Sequence, residues 1–349
     1  MRIVFFGTPQ FAVPSLKRLI ANPDFELLAI VTQPDKRRGR GGKVMPSAVK
    51  AAAQTDAPNC PIWQPARLKK DSDILAKLKA LAADAFVVIA YGQILSQEIL
   101  DMPRLGCVNA HGSILPEYRG AAPIQWCLYR GEYETGVTTM LMNAGMDTGP
   151  MLLEETIPIG LLDNAWDVAE KLSQLSSALI PATLQKLQHQ MIRPRAQDDA
   201  RATYAPLIAK DDYRIDWHKS AKALHDQVRG FYPNCTTGFR DDNSLKVMAT
   251  VPLGQAYWSR LPSEMAAVRS LYEAADIETL AKPPVSRAVS PVPNPGAVVA
   301  ILKSYGPVIQ TGDGHLLLYE VKPAGKRALS GWDFANGSRI EVGEVMRAN

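Results

Sequence analysis

Apolar positions fall into short runs that alternate with helically spaced segments over the first half of the chain. Arg2 to Phe6, Glu26 to Thr32 and Ala85 to Ala90 read as strands, the last apolar throughout, as a strand buried on both faces must be. Helical spacing runs from Val13 to Ile20, Ser47 to Ala53 and Ser72 to Ala82. This alternation predicts an α/β fold with a doubly wound, Rossmann-like sheet, whose site lies beyond the C-terminal strand ends. Gly7-Thr8, Tyr91-Gly92 and His111-Gly112 all follow strand-like runs. Thr135 to Met142 and Met151 to Ile159 form a hairpin-like pair around Asp147, and an amphipathic helix follows from Ala165 to Gln190. Its predicted buried stripe is Leu172, Leu175, Leu179 and Leu187.

The period is lost where the chain turns polar, so residues 194–208 read as a linker between a first domain, 1–193, and a second, 209–349. Beyond it, runs near 235–240, 245–251, 297–302, 307–310 and 315–319 look like short strands between Gly, Asn and Asp turns, the pattern of a small β-barrel. An insertion at about 257–295 interrupts them. It holds a helical pattern from Glu264 to Lys282, then K-P-P-V-S-R-A-V-S-P-V-P-N-P, which should be extended or disordered.

With 46% hydrophobic and 21% charged residues, the chain has the composition of a soluble protein with sizeable cores. No run approaches a membrane span and no signal-peptide profile precedes Arg2, so a cytoplasmic, non-membrane protein is expected. Cys60, Cys107, Cys127 and Cys235 have neither C-x-x-C pairing nor regular spacing, which argues for reduced thiols and against a zinc site. Gly7 lacks the further glycines of a dinucleotide fingerprint, and no phosphate-loop lysine follows, so neither NAD nor ATP is expected. The net charge of +4 is mild but unevenly spread: Lys36, Arg37, Arg38, Arg40 and Lys43 crowd one acid-free stretch with glycines at 39, 41 and 42. Such a run is usually a solvated loop, yet cations on a Gly-rich arm also suit phosphate neutralisation.

Asn109 and His111 stand two apart, so on a strand their side chains share a face, and Asp147 between Gly145 and Gly149 would meet them from a loop. Singly, each is more often a turn or satisfied polar residue. Together they supply what acyl transfer onto an amine requires: donors for a developing oxyanion, and an imidazole titrating near ~6.5 to move protons.

Four segments carry a resemblance: F-F-G-T-P-Q-F near the start, the stretch 32–47, G-C-V-N-A-H-G-S-I-L-P-E-Y-R-G-A-A-P-I-Q-W at 106–126, and P-A-G-K-R-A-L-S at 323–330. On these the chain resembles the methionyl-tRNA formyltransferase family over nearly its whole length; the long insertion departs from the family pattern. The resemblance implies an OB-like barrel for the second domain and transfer of the formyl group of 10-formyltetrahydrofolate to the amine of initiator methionyl-tRNA. It implies Asn109, His111 and Asp147 as catalytic residues. It implies a folate pocket from Ser113, Ile114, Leu115 and Pro116 together with Ile89, Ala90, Tyr91 and Gly92, whose backbone suits a pterin edge. For tRNA it implies Lys36, Arg37, Arg38, Arg40 and Lys43, with Arg40 nearest the bases, and Lys326 and Arg327 in the second domain. There Lys210, Lys219, Lys222, Arg229 and Lys322 are further basic candidates for a phosphate-facing surface, and Phe11 is expected in a methionyl pocket. A monomer without metal is expected. The alternative is formyl transfer to a small amine or amino sugar nucleotide, which would keep the trio but would not need the basic arm.

Overall fold

A computed structural model describes residues 1–38, 42–240, 243–275 and 294–347. The chain forms two compact units. One comprises Met1–Pro123, Glu134–Pro158 and Val168–Pro206; the other comprises Ile124–Tyr133, Ile159–Asp167 and Leu207–Asn349.

In the first unit, β1 (Arg2–Gly7), α1 (Val13–Ala21), β2 (Glu26–Val31), β3 (Lys36–Arg38), β4 (Lys43–Met45), α2 (Ala48–Asp56), β5 (Ile62–Trp63), α3 (Ser72–Ala80), β6 (Ala85–Ile89), α4 (Gln97–Leu100), β7 (Cys107–His111) and β8 (Arg119–Gly120) follow in order. They are succeeded by β9 (Glu134–Leu141), β10 (Met151–Pro158), α6 (Ala165–Gln188, whose first turn belongs to the other unit) and β11 (Tyr204–Ala205). The main sheet has the order β10-β9-β7-β6-β1-β2-β5. Pairing is parallel from β7 through β6, β1 and β2 to β5, and antiparallel from β7 to β9 and β10. Every residue of β6 is buried, so the uninterrupted apolar run reports a strand covered on both faces. The side chains of Ser47 and Asp71 cap α2 and α3 by accepting from the backbone of Lys50 and Ile74, which fixes where those helices start.

Along α6 the leucine stripe is only part of the buried face. Leu172 and Leu179 are buried, Leu175 and Leu187 are half-buried, and Ser173, Ser176, Ser177 and Thr183 are buried beside them. Their hydroxyls find partners: Ser176 meets Ser15, Thr183 meets Thr139 and Ser173 donates to the Phe11 carbonyl. Small hydroxyl residues let the helix approach closely, and hydropathy alone does not signal them.

The second unit contains α5 (Pro123–Tyr129, all but its first residue), α7 (Ala221–Gly230), β12 (Thr236–Phe239), β13 (Asn243–Leu253), α8 (Ala266–Ala274), β14 (Val298–Leu302), β15 (Gly306–Gln310), β16 (His315–Pro323), β17 (Leu329–Ser330) and α9 (Gly331–Ser338). Its sheet runs β12-β13-β16-β15-β14, antiparallel throughout, with β17 on β16. The two outer strands are joined by the segment 344–347: Arg347 exchanges backbone bonds of 2.8 and 2.9 Å with Gly238, and Val298 N–H donates to Glu344 at 2.7 Å. The sheet thus closes on itself in the manner of an OB-like barrel, leaving no free edge there. Of the insertion, α8 packs Val268 and Tyr272 against Val251, Leu253 and Leu302, while residues 276–293, with all but the last two residues of the Pro-rich run, lie outside the described residues.

Buried charge on α7 departs from the sequence expectation. Asp226 and Arg229 are 4% and 3% exposed, and the Asp226 carboxylate accepts from Arg229 Nε at 2.8 Å and from Lys222. Arg229 is therefore an internal cation, not a phosphate-facing one. Next to them His225 is buried, its Nε2 2.7 Å from the Leu161 carbonyl and its Nδ1 2.9 Å from the Thr250 hydroxyl. A carbonyl only accepts, so Nε2 carries the proton and Nδ1 accepts from Thr250. Burial, reinforced by the Arg229 charge, pushes the His225 pKa down to about 3. The unfolded chain, titrating near ~6.5, takes up the proton first; the neutral ring's contribution is complete above that pH and is lost as the pH falls toward the folded value. Urea denaturation should show the second unit weaker by about 2 kcal/mol at pH 5.0 than at pH 7.5. His225→Gln, which cannot titrate, should flatten that difference; an unchanged pH slope would mean that other groups set it.

Candidate active site

β7 carries Asn109 and His111 into the middle of the sheet. Asn109 lies opposite Val88 of β6 and Met140 of β9, and His111 opposite Thr138. His111 is therefore two residues past Val88, the last β6 residue in the β6–β7 ladder, and one past the end of β6 at Ile89. Asp147 arrives differently. β9 runs against β7, so the 142–150 turn leaves the sheet near the start of β7, where Met142 N–H donates to the Cys107 carbonyl. To reach His111 the turn climbs back along β7 by about 13 Å, four residues of strand.

That climb explains the glycines. A Cβ at Gly149 would stand 1.7 Å from the Leu141 carbonyl oxygen, and one at Gly145 would stand 2.1 Å from Thr148 Oγ1. Asn143 Oδ1 ties the turn by accepting from Gly145 N and Thr148 Oγ1. Asp147 itself has φ 53°, the left-handed region.

Of the three candidates, His111 and Asp147 meet, and Asn109 stands two residues before His111 on β7. His111 is 7% exposed; its Nδ1 stands 3.6 Å from Asp147 Oδ2, and its Nε2 stands 3.0 Å from the Tyr118 carbonyl. Because that carbonyl can only accept, Nε2 bears the proton, and the neutral ring presents the Nδ1 lone pair toward Asp147. In that tautomer the ring's one N–H is spent on Tyr118. Asp147 Oδ2 also accepts from Gly120 N–H at 2.9 Å. The Asn109 carboxamide is half-buried and has no hydrogen-bond partner among the described residues, so its N–H groups are uncommitted.

The expected folate residues divide. Ser113 is buried with its hydroxyl donating to the Glu117 carbonyl at 2.6 Å, Leu115 sits in a core cluster with Met140 and Met151, and Pro116 is buried; Ile114 is half-buried. S-I-L-P is mainly a turn pinned by Thr138, whose hydroxyl donates to Ser113 O and accepts from Leu115 N. At the end of β6, Ile89 is buried, but Ala90 and Gly92 are exposed with φ 48° and 86°, and Ile94 beyond them is 78% exposed. Exposed backbone beside an uncovered apolar side chain fits a flat heterocycle with a hydrogen-bonding edge. Tyr91 instead turns inward: its hydroxyl is buried with no partner among the described residues, and desolvation raises its pKa.

The basic arm is a ribbon, not an irregular loop. β3 and β4 pair Lys36 with Met45 and Arg38 with Lys43, and the base is anchored by Asp35, which accepts from Lys50 and Gln64, each at 2.7 Å. Lys36, Arg37 and Lys43 are exposed; Arg40 and the side chain of Arg38 lie outside the described residues. Lys326 and Arg327 are exposed in the turn after β16, and Phe11 is half-buried just before α1.

Sequence reasoning passed over the groups that hold the trio. Stretch 194–208, expected as a linker, runs along the first unit as far as Pro206: Arg195 pairs with Met151, Tyr204–Ala205 pair with Arg119–Gly120, Gln197 bonds the Asp147 carbonyl, and Thr203 bonds Tyr118, the partner of His111. Nothing in a polar aperiodic stretch announces this, although the arginine of E-Y-R-G, buried at 3% exposure, is a cue.

Residues 1–184 match the family described as formyl transferase, and 207–339 the formyl transferase C-terminal domain. Solved structures sharing the fold include WlaRD, a sugar 3N-formyl transferase (TM-score 0.61, 18% identity, 94% of this chain and 99% of that one). Another is an N-formyltransferase from Helicobacter canadensis (TM-score 0.57, 16% identity, 90% and 98%). Curated relatives called methionyl-tRNA formyltransferase match at 60% identity in Trichormus variabilis and 57% in a Cyanothece species, each over 346 residues and 99% of both chains. The chain belongs to the methionyl-tRNA formyltransferase family.

Gly149→Ala should unseat the turn, lowering stability by about 1–3 kcal/mol in urea denaturation, because the obstructing atom is backbone. A wild-type midpoint would mean that the turn has another way to reach His111.

Proposed function

We propose that this chain transfers the formyl group of 10-formyltetrahydrofolate to the free amine of initiator methionyl-tRNA. The observation that carries the reading is the His111 ring, fixed by Tyr118 on one nitrogen and offering the other beside the Asp147 carboxylate. The attacking amine must shed a proton as its bond to the formyl carbon forms, and Nδ1 of His111 accepts it. The resulting imidazolium faces Asp147, whose negative charge stabilises it; the proton then passes to the departing nitrogen. Asn109 donates to the formyl oxygen as it becomes negative, the interaction that strengthens most in the transition state. The folate supplies an acyl group already activated on nitrogen, and the exposed backbone of Ala90 and Gly92 with Ile94 would hold its heterocycle.

For the tRNA, the exposed cations of the ribbon, Lys36, Arg37 and Lys43, and the turn cations Lys326 and Arg327 meet phosphates, with Arg40 nearest the acceptor bases and Phe11 against the methionyl side chain. Phosphate contacts position a nucleic acid without reading it. The 60% identity with named relatives over 99% of their length supports this acceptor over a sugar amine. In this reading the protein acts in the cytoplasm without metal, NAD or ATP.

Formyl transfer should be measured with charged initiator tRNA, elongator methionyl-tRNA and free methionine in parallel; equal rates on all three would sink the tRNA reading. Asn109→Ala, His111→Ala and Asp147→Ala should each lower kcat at least about a hundredfold with the circular dichroism spectrum unchanged. Near-wild-type turnover would remove that residue from the mechanism. Replacing both Lys326 and Arg327 by Ala should weaken tRNA binding and flatten its salt dependence while leaving discrimination among tRNAs intact; an unchanged salt slope would mark them as solvated surface.

A further inference from the structure

The segment 195–205 bonds Asp147 directly and reaches His111 through Tyr118. Gln197 donates both N–H groups of its carboxamide to the turn, to the carbonyls of Asp147 and Gly149, each at 2.7 Å. Its Oε1 accepts from Arg119 Nε at 2.9 Å, and Arg119 Nη2 donates to Asp199 Oδ1 at 2.7 Å. The orientation of the amide is dictated: turned over, it would set NH2 against a buried guanidinium and an oxygen against two carbonyls. Six residues on, Thr203 Oγ1 accepts from Tyr118 N at 2.8 Å, and Thr203 O accepts from Arg119 N at 2.9 Å. Tyr118 is the residue whose carbonyl fixes the His111 ring, and Gly120, paired with Ala205, is the one whose N–H holds the Asp147 carboxylate.

We propose that 195–205 is a brace that sets the reacting geometry, and that Gln197 is a positioning residue acting through Asp147. The proposal rests on the formyl-transfer reading. A non-glycine residue in the left-handed region persists only where its surroundings over-determine it, and Asp147 has that backbone. The clamp grips the carbonyl on each side of Thr148, so it fixes the direction in which the carboxylate leaves the chain. Without it the turn would relax away from His111, and a misplacement of about 1 Å costs rate far more than binding.

The test compares wild type, Gln197→Glu, Asp147→Asn and the double variant in single-turnover and steady-state formyl transfer. Gln197→Glu keeps size and the acceptor for Arg119 but loses both donors. It should lower kcat by about ten- to a hundredfold with KM for either substrate within about threefold. In the Asp147→Asn background the same change should slow the reaction by less than about threefold, since the carboxylate it positions is already gone. Gln197→Met, of similar volume and with no donor, should reproduce these results and replaces Gln197→Glu if the carboxylate prevents folding. Unchanged kcat in an active protein, or losses that multiply in the double variant, would overturn the proposal. An inactive wild type would instead refute the formyl-transfer reading.

Discussion

β7 bonds to a parallel neighbour along one edge and an antiparallel one along the other, and the geometry of the candidate site follows from that change of direction. The parallel edge delivers Asn109 and His111 to the level where β6 ends and its exposed backbone begins. The antiparallel edge forces the next connection to start from the wrong end of the strand, so the carboxylate must be brought back by a turn. Such a turn has few internal bonds with which to hold itself. Glycines where no Cβ fits and partners from distant sequence both follow from that deficit.

What was legible in the sequence follows the same division. Apolar runs disclosed β1, β2 and β6 because strands buried on both faces leave no other pattern, and the spacing of Asn109 and His111 placed them on one face because a strand has period two. Three kinds of feature left no such trace. Strands of two or three residues, β3, β4, β5, β8 and β11, are too short to show a period. The serines of α6 look like a solvent face, but Ser176 meets Ser15 of α1 and Ser173 donates to a backbone carbonyl in the interior. Residues 195–205 fold by main-chain pairing and amide bonding, interactions that depend on what lies opposite in space and not on the local run of side chains. The sequence marks His111 as a candidate proton carrier, but its tautomer is set by a carbonyl seven residues away, which only coordinates disclose.

The same contrast holds in the second unit. Its strands show as separate apolar runs, yet the barrel is completed by residues 344–347, where the sequence has no apolar alternation and the pairing is through backbone. Closure there leaves no unpaired strand edge available for association.

The chain passes between its two units at 123, 133, 158, 167 and 206, so neither is a continuous stretch. A fragment beginning at Leu207 would lack Trp126 and Tyr129, whose rings lie 5.4 and 5.0 Å from that of Phe231, and Leu161, the partner of His225. Although the family matches read as two consecutive blocks, the second cannot be lifted out as a cassette: modular in alignment, the two units alternate along the chain. Recombination that exchanged such blocks between relatives would have to carry these short early segments along, or select compensating changes in them.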